Sequence, residues 1–131
     1  MVRDVFGGRG TAVQSNGAVP MRLVLQLSDR PSLPLAIPLK DRLVIGRAGG
    51  EGDQPDVDFS AYNAQERGVS RLHAVFTYQD DQIYLEDLNS TNGTRINGLQ
   101  IMPGRACRLR NGDEIEFGSL RMVVKLVRAP A

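Results

Sequence analysis

Residues that support catalysis or metal binding are scarce in this 131-residue sequence. It contains one histidine, one cysteine and no cluster of carboxylates with the spacing of a metal loop. A single thiol excludes an internal disulfide framework and fits a reducing compartment. Neither a metal site nor a pair of nucleophile and base is visible. We therefore expect a protein that is not an enzyme and that holds no metal and no cofactor.

Aromatic and lysine side chains are also few. Aromatics make up 5% of the sequence, tryptophan is absent, and the formal net charge is +1. Nucleic acids are bound through clustered cations and, when single-stranded, through aromatic stacking platforms. We therefore expect no nucleic-acid partner, and a nucleic-acid-binding β-barrel remains a weaker alternative. Nearly all the cations are arginine, which suits bidentate phosphate recognition, although a codon bias would explain them equally well.

Long hydrophobic runs are missing as well. No segment approaches the length of a membrane span, and the N-terminus lacks the basic-then-apolar pattern of a signal peptide. The hydrophobic content of 41% is that of a globular chain, long enough for one domain with one core. We expect a soluble, cytoplasmic monomer that does not bind membranes.

Two parts of the chain differ in pattern. Residues 1–20 are rich in glycine and lack apolar periodicity, which predicts a flexible N-terminal tail. Residues 21–128 contain about ten short strand-like runs, separated by turns at intervals of about eight to twelve residues. No stretch longer than a turn or two has helical periodicity. This pattern predicts an all-β sandwich or barrel.

One loop is unusually rich in side chains that form hydrogen bonds. Residues 89–97 read NSTNGTRIN and follow a run with strand-like alternation. Short polar side chains compete for backbone hydrogen bonds, and Asn-Gly tolerates the positive φ angles of tight turns. The loop therefore displays Ser90, Thr91 and Asn92 side by side, a density of hydroxyl and amide groups suited to a phosphate-like ligand.

Three further motifs accompany this loop. They are Gly46-Arg47 at a strand end, the Ser-x-x-His of Ser70 and His73, and the Asn97-Gly98 turn. Each is unremarkable alone, but their order and spacing together resemble the forkhead-associated domain, a phosphothreonine-peptide reader. The resemblance covers residues 21–128. It implies an FHA/SMAD-like sandwich of two β-sheets, with about eleven strands and binding loops gathered at one end.

The resemblance also implies a role for each motif residue. Arg47 and Ser70 would contact the phosphate, and Arg71 would lie beside it and add positive charge. Thr91 would touch the phosphothreonine, and Asn92 would hold the peptide backbone. The remaining motif residues would support the loops: Gly46, His73, Asn89, Ser90, Gly93, Asn97 and Gly98.

Residues 48–68 form a longer segment than the family usually has between its first two motifs. We favour a solvated insertion, and the alternative is a surface that reads residues following the phosphothreonine. Within it, residues 57–59 could form a very short strand, and residues 62–67 one helical turn. A loop of this length in a compact domain is usually functional or disordered.

The expected partner is a phosphothreonine-containing protein, the substrate of a Ser/Thr kinase, bound reversibly in signalling. A phosphate-independent interaction or oligomerisation module on the same fold is the main alternative. Thr11 in the tail raises a further hypothesis, because a phosphorylated tail threonine could fold back into the site and block it.

Overall fold

The structure is a computed structural model that describes residues 21–128. The predicted flexible tail, residues 1–20, lies outside the described residues, as do residues 129–131. Within residues 21–128, no helix has the length and the apolar composition that crossing a membrane requires.

Eleven strands account for nearly all regular structure of the described chain. They are β1 (Met21–Leu27), β2 (Leu35–Ile37), β3 (Arg42–Gly46), β4 (Val57–Asp58), β5 (Ala74–Gln79), β6 (Gln82–Asp87), β7 (Thr94–Ile96), β8 (Leu99–Gln100), β9 (Cys107–Leu109), β10 (Glu114–Phe117) and β11 (Leu120–Arg128). The one helical element there is a single 3-10 turn, Ser60–Tyr62. The run interrupted by Pro34 and Pro38 becomes β2, which lies between these two prolines at a sheet edge. An edge position suits this segment because proline has no backbone N–H to donate to a neighbouring strand.

The strands form two sheets. One sheet has six strands in the order β2-β1-β11-β10-β7-β8, and the other has five in the order β4-β3-β5-β6-β9. Every pairing is antiparallel except the short one between β3 and β4. The predicted all-β sandwich of two sheets with about eleven strands is therefore confirmed.

The core follows from alternation along the strands. Leu23, Leu25 and Leu27 of β1 are buried on one face, and Met122 and Val124 of β11 meet them from the neighbouring strand. Such alternation gives each sheet one apolar face, and the two faces pack against each other. Burying these side chains stabilises the fold by about 1.5–3 kcal/mol each.

Aromatic rings fill the core beneath the loops at one end of the sandwich. Phe117 packs against Phe59, with ring centroids 6.1 Å apart, and its edge meets Phe76 at 6.5 Å. All three phenylalanines are buried. β5 begins and β10 ends next to these rings. The rings therefore support the connection that precedes β5 and the one that follows β10.

Residues 48–68 divide into two halves. Residues 48–54 are exposed, as expected for a solvated insertion. The second half is not an insertion on the surface, because Phe59 and Ala64 are fully buried and Val57–Asp58 pairs with β3. The expectation of a solvated insertion is wrong for this half. The very short strand expected at residues 57–59 is present as Val57–Asp58, and the helical turn expected at residues 62–67 lies slightly earlier, at Ser60–Tyr62.

Candidate functional site

Four connections meet at one end of the sandwich. They follow β3, precede β5, follow β6 and join β10 to β11. Hydrogen bonds link them: Gly118 N donates to Gly93 O at 3.1 Å, and Ser119 N donates to Arg67 O at 2.8 Å. Arg47 N likewise donates to Arg71 O at 3.2 Å. The motif residues therefore converge although they are distant in the chain.

Gly46 allows two backbone segments to touch. A Cβ atom at this position would lie 2.0 Å from Arg71 O. Because Arg71 O is a backbone atom, no side-chain rotation could relieve this clash. The absence of a Cβ lets the end of β3 approach residues 70–71 closely. Gly46 thus supports the site by bringing Arg47 alongside Ser70.

Arg47 is half-buried, and a hydrogen bond to the segment before β5 orients its side chain. Its Nε donates to Val69 O at 2.8 Å, which fixes the plane of the guanidinium. Within residues 21–128, the Arg47 side chain makes no other hydrogen bond or ion pair. The two terminal Nη groups therefore have no hydrogen-bond partner among the described residues.

His73 is a fully buried neutral imidazole that joins two of the connections. Ser70 N donates to its Nδ1 at 2.9 Å, so the ring proton sits on Nε2, which donates to Gly93 O at 2.9 Å. Burial lowers the pKa of His73, although the Gly93 carbonyl and Asp87 act in the opposite direction. Its ring also packs edge-on against Phe117, with centroids 5.4 Å apart. His73 positions the loops from below.

Ser70 lies between Arg47 and the polar loop. Its Oγ accepts a hydrogen bond from Thr91 N at 3.1 Å, which leaves the hydroxyl proton for donation. The Thr91 side chain is exposed beside it. The structure thus brings Arg47, Ser70 and Thr91 together at one place on the surface.

Asn92 spans the gap to the segment that precedes Ser70. Its Nδ2 donates to Gly68 O at 2.9 Å, and the amide remains exposed. Gly68 has a φ of +77°, and a Cβ there would lie 2.5 Å from Asn92 Nδ2. The contact therefore needs glycine, both for its backbone angle and for space.

A buried carboxylate that the sequence analysis missed braces the loop after β6. Asp87 is 1% exposed and accepts hydrogen bonds from Ser90 N at 3.0 Å, Ser90 Oγ at 2.6 Å and Thr94 Oγ1 at 2.6 Å. Ser90 Oγ in turn accepts from Gly93 N at 3.0 Å. Burial opposes ionisation of Asp87, but the hydrogen bonds from Ser90 and Thr94 lower its pKa overall. Alternation along β6 could have revealed it, because Asp87 shares the inward face of Ile83 and Leu85.

The Asn97-Gly98 turn is hydrogen-bonded to residues 113–114 at the start of β10. Asn97 adopts a φ of +51° and Gly98 one of +83°, as a tight hairpin turn between β7 and β8 requires. Asn97 Nδ2 donates to Asp113 Oδ1 at 3.0 Å, and Asn97 Oδ1 accepts from Glu114 N at 2.9 Å. Asn89, also at positive φ (+58°), begins the polar loop. These residues shape backbone turns.

The Arg71 side chain is hydrogen-bonded to the loop after β3 and to no other motif residue. Its Nη2 donates to Glu51 O at 2.6 Å, so the guanidinium is held by the loop after β3. The Arg71 backbone remains in the site, because its carbonyl accepts from Arg47 N. Across residues 21–128 there is no group of His, Cys, Asp and Glu side chains that could hold a metal ion.

Comparison with known proteins agrees with this architecture. The family model of the FHA domain matches residues 43–118. The Nostoc sp. protein FraH is 38% identical over 112 residues, which cover 84% of this chain and 37% of FraH. The oxoglutarate dehydrogenase inhibitor of Corynebacterium jeikeium is 39% identical over 72 residues, covering 55% of this chain and 46% of the inhibitor. The chain thus spans less than half the length of these relatives.

Among solved structures, the fold is similar to an FHA domain studied for its phosphothreonine-dependent interactions. The TM-score is 0.62 at 27% sequence identity, and the match covers 84% of this chain and 99% of the other. The segment that the family model matches, residues 43–118, begins in β3, ends in the turn after β10 and includes the connections that follow β3, precede β5 and follow β6. The chain belongs to the forkhead-associated (FHA) domain family.

Proposed function

We propose that this domain binds a phosphorylated threonine on a partner protein through Arg47, Ser70, Thr91 and Asn92. The observation that carries the proposal is the convergence of an oriented arginine and an available serine hydroxyl, from separate connections, at one exposed place. The similar FHA domain with phosphothreonine-dependent interactions supports the choice of ligand.

The donors match the ligand in charge and number. A phosphothreonine carries nearly two negative charges at neutral pH and three acceptor oxygens. The Nη groups of Arg47 supply charge-assisted hydrogen bonds, worth about 1.5–3 kcal/mol, and the Ser70 hydroxyl supplies a weaker one. The Thr91 hydroxyl adds a further donor. After the cost of ordering a peptide, an affinity near micromolar follows, about −8 kcal/mol.

Asn92 holds the peptide backbone in this proposal. Its amide has both donor and acceptor atoms, and the bond from its Nδ2 to Gly68 O leaves Oδ1 to accept from a peptide N–H. The contact fixes the direction of the peptide and does not depend on its side chains.

The proposed preference is for phosphothreonine over phosphoserine. One buried methyl group is worth about 0.8 kcal/mol, or about a fourfold difference in affinity. The partner would be a substrate of a Ser/Thr kinase, and the contact would be reversible, as signalling requires.

Degenerate peptide libraries test this function. One library has a fixed phosphothreonine, a second has unphosphorylated threonine, and a third has phosphoserine. We expect retention of the first library, weaker retention of the third and none of the second. Equal retention of the phosphothreonine and threonine libraries would contradict the proposal and favour a phosphate-independent interaction module.

A further inference from the structure

Three Asn-Gly pairs occur in the sequence, at residues 92–93, 97–98 and 111–112. Asparagine is chemically labile, and a glycine after it favours deamidation because no Cβ shields the glycine N. In that reaction the glycine N loses its proton and attacks Cγ of the asparagine, and the side-chain nitrogen leaves as ammonia. Water then opens the succinimide ring and produces aspartate or isoaspartate, so one water is consumed for each ammonia released. The reaction requires a glycine N that is not held in a hydrogen bond.

The pair in the candidate site is held at both of its reacting groups. Gly93 is buried, and its N donates to Ser90 Oγ at 3.0 Å. Ser90 Oγ is itself fixed, because it donates to Asp87 Oδ1 at 2.6 Å. The carboxamide of Asn92 is turned towards Gly68, since its Nδ2 donates to Gly68 O at 2.9 Å. Attack on Asn92 would first have to break these hydrogen bonds.

The pair before β10 is held in a similar way. Gly112 N donates to Val124 O at 2.7 Å, and Asn111 Oδ1 accepts from Leu126 N at 2.9 Å. Both residues are thereby tied to the backbone of β11. The glycine N of this pair is therefore not available for attack either.

The pair at residues 97–98 differs, because its nucleophile is free. Gly98 is exposed, and its N has no hydrogen-bond partner among residues 21–128. The carboxamide is also polarised for attack, because Asn97 Oδ1 accepts from Glu114 N at 2.9 Å. This donor would stabilise the negative charge that the oxygen acquires during attack. Of the three pairs, all of which the structure describes, this is the one that favours deamidation.

We propose that Asn97 is a deamidation site of this domain, and that Ser90 is a positioning residue that protects Asn92 from the same reaction. The reaction uses only the chain and water, so the inference stands apart from the proposed function. Two asparagines in neighbouring turns thus differ in fate, because one glycine N is held by a hydroxyl group and the other is not.

Deamidation would have different effects at the two positions. At Asn97 it would replace the NH2 group that donates to Asp113 Oδ1 at 3.0 Å with a carboxylate oxygen, so two carboxylates would face each other. Like charges so placed destabilise a sheet, and the β7–β8 hairpin would lose a link to β10. At Asn92 it would add a negative charge to the surface that carries Arg47, and a phosphate there would be repelled.

The first experiment incubates the full chain in mildly alkaline water enriched in heavy oxygen, and then digests it in ordinary water. Mass spectrometry of the peptide containing each pair measures the heavy oxygen that enters when the succinimide opens. We expect Asn97 to react about tenfold faster than Asn92 and Asn111, where a hydrogen bond has to break first. The chain unfolded in guanidinium chloride is the reference, in which all three pairs should react at similar rates. A folded chain that reacts equally at Asn92 and Asn97, or that leaves Asn97 intact, would overturn the proposal.

Substitution of glycine tests the attacking atom. Gly98→Ala places a methyl group beside the attacking N without a clash, because nothing lies within 4 Å of an added Cβ, and should slow the reaction at Asn97. Gly104→Ala is the matched control, because Gly104 has a similar φ (+80° against +83°) and equally open space but follows Pro103. It should leave the rate at Asn97 unchanged. An unchanged rate in Gly98→Ala would exclude attack by Gly98 N and overturn the proposal.

Substitution of Ser90 tests the protection of the candidate site. Ser90→Ala removes the acceptor of Gly93 N and should increase the rate at Asn92 about tenfold. Ser90→Thr retains the hydroxyl group and should keep the slow rate. The rate at Asn111 is the internal control, since it would rise as well if the variant were only less stable. A rise at both Asn92 and Asn111, or at neither, would overturn the role of Ser90.

Asn97→Asp reproduces one product of the reaction. It should unfold at a lower temperature than the wild type, because its carboxylate faces Asp113. Asn63→Asp is the control, because Asn63 is exposed, has a similar positive φ (+60° against +51°) and makes no side-chain hydrogen bond among the described residues. None of these measurements uses a ligand, so their outcome does not depend on whether the domain binds phosphothreonine. Equal unfolding temperatures of the two variants would overturn the loosening of the β7–β8 hairpin.

Discussion

At the scale of single residues, Arg47 supplies the largest share of the proposed phosphate affinity. Its Nε is held by Val69 O, so the guanidinium does not have to find its orientation when a ligand arrives. Planar, pre-oriented guanidinium groups lose little entropy for each hydrogen bond they form. Ser70 is comparably fixed, since its backbone and its Oγ both take part in hydrogen bonds.

Replacing Arg47 with alanine should weaken binding of the best phosphothreonine peptide by about 2–3 kcal/mol, or about 30- to 150-fold. Ser70→Ala should cost less, because a neutral donor is lost. Isothermal titration calorimetry measures both effects. Arg108→Ala is the control, because Arg108 is an exposed arginine on the edge strand β9. An equal loss in Arg108→Ala would indicate a non-specific charge effect.

His73 should make the stability of the fold depend on pH between about 7 and 5. Its pKa in the folded state is lowered by burial, so the unfolded chain takes up the proton first as the pH falls. The stability that the neutral His73 ring contributes is complete above about pH 6.5, the usual pKa of histidine. This contribution decreases as the pH falls towards the lower pKa of His73 in the folded state. Urea unfolding at about pH 7 and about pH 5 measures the difference in the free energy of unfolding. His73→Gln, which removes the only histidine of the sequence, should have a smaller difference.

At the scale of elements, the loop after β6 owes its shape to a buried carboxylate. Asp87 ends the strand on its inward face and accepts hydrogen bonds from Ser90 and Thr94, which hold the turn that presents Thr91 and Asn92. A buried charge with several donors fixes a backbone conformation more firmly than neutral contacts do.

Replacing Asp87 with asparagine should destabilise the domain by about 2 kcal/mol, because the charge-assisted hydrogen bonds from Ser90 and Thr94 become neutral. The NH2 group of the asparagine would also face one of these donors instead of accepting from it. It should also weaken phosphopeptide binding, although Asp87 itself is buried. Thermal unfolding and calorimetry measure the two effects. Asp80→Asn serves as the control, since Asp80 is exposed in the turn between β5 and β6, at a φ that asparagine tolerates. An unaffected Asp87→Asn variant would show that the turn forms without this carboxylate.

Most of the strands were predictable from the sequence, and the reasons are local. Alternating apolar residues marked β1, β6 and β11, and Asn-Gly pairs marked tight turns. The buried positions of Phe59 and Ala64 were not predictable, because they lie in an irregular segment whose burial depends on the distant Phe117. The contact of Arg71 with Glu51 was missed for the same reason, since it joins residues twenty positions apart by a tertiary contact.

At the scale of the whole molecule, the loops of the candidate site pack directly on the core of the sandwich. Phe117 packs against His73 from below, and His73 joins Ser70 to Gly93. Loss of core packing would therefore displace the loops as well. The net charge of +1 is low, so the proposed attraction of a phosphate would depend on the local arginine and not on the overall field.

We also expect residues 21–128 to fold without the tail. The described strands pair among themselves, and β1 pairs with β11 along its full length inside the six-stranded sheet. A chain lacking residues 1–20 should therefore unfold within about 2 °C of the full chain, since all eleven strands and their pairings lie within residues 21–128. Calorimetry of the two chains tests this. A large decrease would show that the tail belongs to the folded unit, and tighter peptide binding by the shorter chain would show that the tail competes for the site.

The loops at this end of the sandwich are proposed to read a phosphate on threonine. The most direct measurement is a calorimetric titration of the full chain with one library-selected peptide, in its phosphorylated and unphosphorylated forms. The predicted result is a Kd near micromolar for the phosphorylated form and binding at least about 100-fold weaker for the unphosphorylated form. Equal affinity for the two forms would contradict the claim.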